Sequence, residues 1–183
     1  MDVWQRAFTA LERDLSLIVS RDALEEPADA GHLAVQELVL RTGRRAGYQG
    51  SFELPTRPAD PRRSTDVGLR DDRRRRLLLV EVWNTFGDIG AAARASSRKV
   101  TEAEGLAATS SDEPYLVATC WVVRATRRNR ELVARYPELF ERRFPGSSAR
   151  WVRALTQGTE PPSEPGLVWA DARATRLFAW RRR

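Results

Sequence analysis

The chain has 183 residues, 42% hydrophobic and 31% charged, which is enough apolar content for one domain with a buried core. A formal charge of +6 and a pI near 10.5 favour a polyanionic partner such as nucleic acid, but all except one of the 31 basic residues are arginine, so part of that charge is a coding habit. One cysteine and one histidine exclude an internal disulfide and a Cys/His zinc site, and no G-x-x-x-x-G-K stretch exists for a P-loop.

The first twenty residues carry Asp2, Arg6, Glu12, Arg13 and Asp14, so no signal peptide is expected. No apolar run nears the length of a membrane span, and a cytoplasmic protein without membrane contact follows. Val3, Trp4, Ala7, Phe8, Leu11, Leu15 and Ile18 recur at helical spacing and predict an amphipathic helix over 2–19. A second helix is predicted over 31–44, stopped by Gly43 and Gly47. On it Glu37 shares a flank with Leu33 and Leu40 and is expected to look toward the sheet, while His32 is expected to be a surface or capping residue.

A strand over 48–55 leads into a proline-rich loop, and residues 64–70 and 77–84 read as two strands of a hairpin joined by the polar run Asp71 to Arg76. Asp88 is a natural N-cap for a helix over 89–107, whose stripe is Ile89, Ala92, Ala93, Ser96, Val100 and Ala103. Residues 115–125 form a long apolar run containing Cys120 and read as a central strand reached by a crossover, with a buried, reduced thiol. Short helices are predicted over 129–143, broken at Pro137, and over 147–155. A Pro/Gly linker follows, and 167–170 with 176–180 make a closing hairpin. The fold class is α/β, a mixed sheet flanked by helices in one domain, with a core over 31–126 and a helical and hairpin extension over 127–183.

Two acids stand out on the central hairpin. If its turn is centred between Arg73 and Arg74, Asp66 falls opposite Glu81 on the same face, with Cβ atoms about 5 Å apart. Opposed carboxylates destabilise a sheet unless a cation lies between them, and oxygen ligands are what Mg²⁺ takes from a protein. The competing reading is a strand edge whose acids pair with arginines. Glu81 weighs against it, because it interrupts the most apolar strand of the chain.

The order helix, strand, Asp-bearing strand, Glu-bearing strand, helix, strand resembles the PD-(D/E)xK superfamily of restriction-endonuclease-like nucleases, whose core is αβββαβ. Asp66 in Ser64-Thr65-Asp66 matches the first acid and Glu81 in Leu79-Val80-Glu81-Val82-Trp83 the second. Trp83 stands where that family carries its lysine, and no proline precedes Asp66. The resemblance implies a nuclease dependent on Mg²⁺ or Mn²⁺, with Asp66, Glu81 and the Val82 carbonyl as metal ligands, and Glu37 joins the catalytic set from its expected flank of the helix. In some lineages the lysine moves to the following helix, which implicates Lys99, the only lysine, on a stripe with Ala92, Ser96 and Ala103. It reaches the acids only if that helix folds back over them.

The implied partner is nucleic acid, DNA before RNA, held by the arginines of 124–130 or 73–76. The alternative is an inactive nuclease-like module that binds nucleic acid or a protein in a regulatory or defence role. A homodimer and a separately encoded partner both remain open, and Trp83 is read as core packing or as a base-stacking surface.

Overall fold

A computed structural model describes residues 30–57, 60, 63–109 and 114–182. The helix expected over 2–19 lies outside the described residues. The elements run α1 (Ala30–Arg45), β1 (Gln49–Pro55), β2 (Ser64–Asp71), β3 (Arg76–Trp83), α2 (Ile89–Thr109), β4 (Leu116–Arg124), α3 (Arg127–Arg135), α4 (Pro137–Arg143), α5 (Ser148–Gln157), β5 (Gly166–Ala170) and β6 (Leu177–Ala179).

The six strands form one sheet in sequence order, β1 to β6. β1, β2 and β3 are antiparallel neighbours, β3, β4 and β5 are parallel, and β6 returns antiparallel on β5. The hairpin expected at the end of the chain is therefore an addition to the main sheet. The architecture is α/β with a mixed sheet flanked by helices, and no helix among the described residues is long and apolar enough to cross a membrane.

Strand alternation supplies two cores. Val67, Leu69, Leu78, Val80, Val82, Cys120, Val122 and Val168 point to one face, where Val35, Leu38 and Val39 of α1 and Trp151 and Leu155 of α5 cover them. Trp121, Val123, Leu167 and Trp169 point to the other, against Phe86, Val133, Phe140 and Phe144. Each such side chain contributes about 1.5–3 kcal/mol when fully buried. Residues beyond 126 thus build both cores, since Trp151, Phe140 and Leu155 are wholly buried.

The central hairpin has the register expected from its turn. Val67 lies opposite Val80, Gly68 opposite Leu79 and Asp71 opposite Arg76. The Asp71 carboxylate accepts from the amides of Arg73 and Arg74, and Arg75 takes the left-handed conformation at φ 51°, which together close the turn.

Candidate active site

The site lies where β3 ends. Glu81, Val82, Trp83, Asn84 and Thr85 line an open cavity of about 440 Å³ together with Asp66 from β2 and His32 from α1. Ligands of open α/β sheets bind beyond the carboxyl ends of parallel strands, and this cavity occupies that position on β3.

Asp66 sits at a break in the sheet. The β2–β3 ladder stops at Val67 and Val80, and the Asp66 side chain itself accepts the next amide, that of Val82, at Oδ2 (2.6 Å). On the β1 side the pairs Phe52–Val67 and Leu54–Thr65 flank an interrupted step at Glu53, whose φ is 47°. A glutamate in the left-handed region is strained, and such strain persists only where surrounding contacts hold it. Here Gln36 Nε2 donates to Glu53 Oε1 at 3.4 Å and Ser64 Oγ donates to Oε2 at 2.6 Å.

Glu81 is 6% exposed, and Lys99 of α2 meets both of its oxygens, with Nζ at 2.9 Å from Oε1 and 2.7 Å from Oε2. The helix folds back over the sheet because its small stripe lets it lie close. Ser96 and Ala103 are buried on it, and the Trp121 indole donates to Ser96 Oγ at 3.2 Å. The arm that spans from Asp88 to the acids is thus α2 itself, anchored where Asp88 Oδ1 accepts from the amide of Ala91.

Burial raises the pKa of both acids. For Glu81 the Lys99 ammonium partly offsets that burial, and the Asp66 charge adds to it. For Asp66 the Val82 amide, His32 and Lys99 pull the value down and Glu53 pushes it up, but burial dominates. Both carboxylates are thus costly to keep ionised, and their charges interact.

His32 Nε2 stands 3.8 Å from Asp66 Oδ1 and is partly buried, so it is a wall of the cavity and not the surface or capping residue expected. Glu37 does not join the group. Its side chain is 69% exposed and pairs with Arg41 one turn on at 3.8 Å. The flank read from Leu33 and Leu40 is split, since Leu33 is 59% exposed while Val35, Gln36, Leu38, Val39 and Leu40 are buried. α1 is rotated so that His32 faces Asp66, Gln36 faces Glu53 and Glu37 faces solvent.

Trp83 packs in the second core, its ring 4.9 Å from that of Trp121 and 6.0 Å from that of Phe86, while another part of it lines the cavity. Its indole nitrogen is buried with no hydrogen-bond partner among the described residues. The loop after it is fixed by Asn129, which is 1% exposed. Asn129 Nδ2 donates to the carbonyls of Asn84 and Arg124 at 2.9 and 2.8 Å, and its Oδ1 accepts from the Phe86 amide at 3.4 Å. Nothing in the sequence ties Asn129 to this loop, 45 residues away.

Most of the arginines expected to bind nucleic acid have partners within the chain. Arg124 donates to Asn84 Oδ1 at 3.1 Å and to the Ala172 carbonyl at 2.7 Å, and Arg127 pairs with Glu131. At the hairpin tip Arg74 pairs with Asp71, Arg75 lies over the Tyr115 ring, and Arg76 is near Glu160.

Among the described residues no group of three His, Cys, Asp or Glu side chains is placed to hold a metal ion. Asp66 and Glu81 remain as a pair of hard oxygen donors. Mg²⁺ commonly binds through one or two carboxylates, several waters and the phosphates of its substrate, so the donor set fits an ion of that kind and not an all-protein cage. Searches against protein-family models, curated proteins and solved structures return no match to this chain.

Proposed function

We propose that this protein is a divalent-cation-dependent nuclease that hydrolyses phosphodiester bonds, with DNA as the substrate and Asp66, Glu81 and Lys99 as its working residues. The observation that carries this reading is the delivery of Lys99, from the helix after the Glu-bearing strand, to Glu81, which lines one cavity with Asp66. The order α1, three antiparallel strands, α2 and a parallel β4 supports a restriction-endonuclease-like core.

Asp66 and Glu81, with the Val82 carbonyl, would hold Mg²⁺ or Mn²⁺, which when bound supplies Lewis-acid stabilisation of phosphate and lowers the pKa of water. The chain's own residues do the rest. The Val82 amide fixes one oxygen of Asp66, which leaves Oδ1, on the side of His32, as its second acceptor. Lys99 spends two of its three donors on Glu81, and the third can meet a phosphate oxygen at the cavity. A compact ammonium there neutralises charge that develops on the phosphate and can also give up a proton when desolvated, which guanidinium cannot. Trp83, though it fills the motif position, supplies no cation, so Lys99 from α2 takes that role.

A second reading is a nuclease-like module without chemistry. The same ion pair favours it, because Lys99 contacts both Glu81 oxygens and so satisfies the carboxylate without a cation. Conversion of supercoiled plasmid to nicked and linear forms in Mg²⁺ or Mn²⁺, abolished by EDTA and in Asp66→Asn and Glu81→Gln, is the outcome expected of a nuclease. Plasmid left intact by the wild type in both ions would leave the module reading.

A further inference from the structure

We infer that nucleic acid is held on a basic ledge beside the cavity, formed by the β5–β6 turn and the start of α3, with Arg128, Arg173 and Arg176 as its phosphate contacts. The inference rests on the nuclease reading only for where the bound strand leads.

The ledge is continuous with the site. The carboxyl ends of β3, β4 and β5 and the start of β6 lie in register at one end of the sheet, through the pairs Trp83–Val123, Val123–Trp169 and Ala170–Leu177. Arg124 ties them together, since its guanidinium bonds Asn84 on the cavity side and the Ala172 carbonyl on the turn side. Gly31, at the start of α1, lies so close to the Arg124 guanidinium and the Asn84 amide that a Cβ there would force one of them to shift.

The turn is built to stay in place. Asp171 accepts from Thr175 N at 2.6 Å, Thr175 Oγ1 at 2.8 Å and Arg176 N at 2.9 Å, and these bonds hold its carboxyl below the usual range. Ala174 is held at φ 51° with its methyl buried in the first core. What such a turn displays is therefore pre-ordered, and it displays Arg173 and Arg176, both exposed. Arg128 is exposed at the first turn of α3, immediately beyond β4.

Charge decides the partner. Among the described residues neither Arg128 nor Arg173 has an acidic partner within ion-pair distance, and Arg176 lies beside Asp171, already saturated by the turn, and the Phe178 ring. Two inter-strand steps of about 4.8 Å, from β4 to β6, make the ledge about 10 Å wide, which at about 3.4 Å per nucleotide step covers about three phosphates of one DNA strand. The hairpin tip, by contrast, lies beyond Arg76, which is five residues and about 17 Å along β3 from Glu81, and most of its arginines are committed.

The test is binding of a fluorescein-labelled 20-base-pair DNA duplex, followed by anisotropy in EDTA over a range of NaCl concentrations. In Arg173→Gln/Arg176→Gln the slope of log affinity against log salt should flatten by about 2, an affinity loss of up to about 60-fold at 0.1 M salt, and Arg128→Gln should remove about one more unit. Neither change removes a hydrogen bond of the turn, which uses the Arg176 amide and not its guanidinium. The control, Arg73→Gln/Arg153→Gln, removes the same charge from exposed positions elsewhere and should leave the slope near that of the wild type. An unchanged slope in the ledge variant, or an equal loss in the control, overturns the ledge. Because EDTA removes any cleavage, a protein that binds through the ledge but never cuts refutes the nuclease reading alone, and one that cuts with an unaltered slope refutes the ledge alone.

Discussion

Removing the Lys99 side chain should reveal how Glu81 is kept charged. Glu81 is 8% exposed at its side chain and Lys99 21%, so Lys99→Ala strands the less accessible partner. An ionised carboxylate left unpaired in such a place is costly enough that Glu81 would bind a proton instead. Holding that proton at pH 7 against an ordinary glutamate value of about 4.3 costs about 1.36 kcal/mol per unit, which caps the electrostatic loss at about 3.7 kcal/mol. At pH 5 the same sum is about 1 kcal/mol.

The sign follows from proton counts. In the variant the native state holds a proton that the unfolded chain releases between its ordinary value and the raised one, so stability falls as pH rises through that window. Urea unfolding of wild type and Lys99→Ala at pH 5 and pH 7 measures this. The expected result is a gap of about 3 kcal/mol at pH 7 that narrows to about 1 at pH 5, with Glu81→Gln costing less than about 1 because Lys99 can turn to solvent. A gap that is below about 0.5 kcal/mol at pH 7, or that does not change with pH, would refute the buried-pair reasoning.

Lys99→Arg should keep the ion pair and the stability of the wild type yet lose plasmid cleavage nearly as fully as Lys99→Ala, and full activity in the arginine variant would reduce Lys99 to a charge. Burial raises the Asp66 pKa, so its ionised form costs stability above the ordinary aspartate range, and Asp66→Asn should raise the metal-free melting temperature at pH 7 with a smaller gain toward pH 4. Asn129→Leu leaves the Asn84 carbonyl and the Phe86 amide without their partner and should destabilise the fold by about 2 kcal/mol or more in chemical unfolding. Burial pushes the Cys120 thiol well up, so a thiol reagent should leave the native protein unlabelled and label it at the rate of global unfolding.

The parts of the fold and site that could be read from the chain were those set by local chemistry. The Asp71 to Arg76 turn fixes the β2–β3 register, and with it the placement of Asp66 and Glu81 near one another. Lys99 could be singled out because no other lysine exists, although its reach to Glu81 depended on the close approach of α2. Glu37 was assigned to the site from helical spacing, but Leu33 is exposed and the helix turns another face to the sheet. His32 and Asn129 act on residues 34 and 45 positions away, and single-chain periodicity carries no signal for such contacts. The last two strands were visible as a hairpin, but the parallel pairing of β5 on β4 depends on α5 and the Trp151 core.

The central claim of this proposal is that Asp66 and Glu81 together take up a divalent cation. Titration calorimetry with Mn²⁺ tests it directly. The expected result is uptake that Mg²⁺ competes away and that is lost in both Asp66→Asn and Glu81→Gln. No uptake by the wild type, or uptake unchanged in Glu81→Gln, would contradict it.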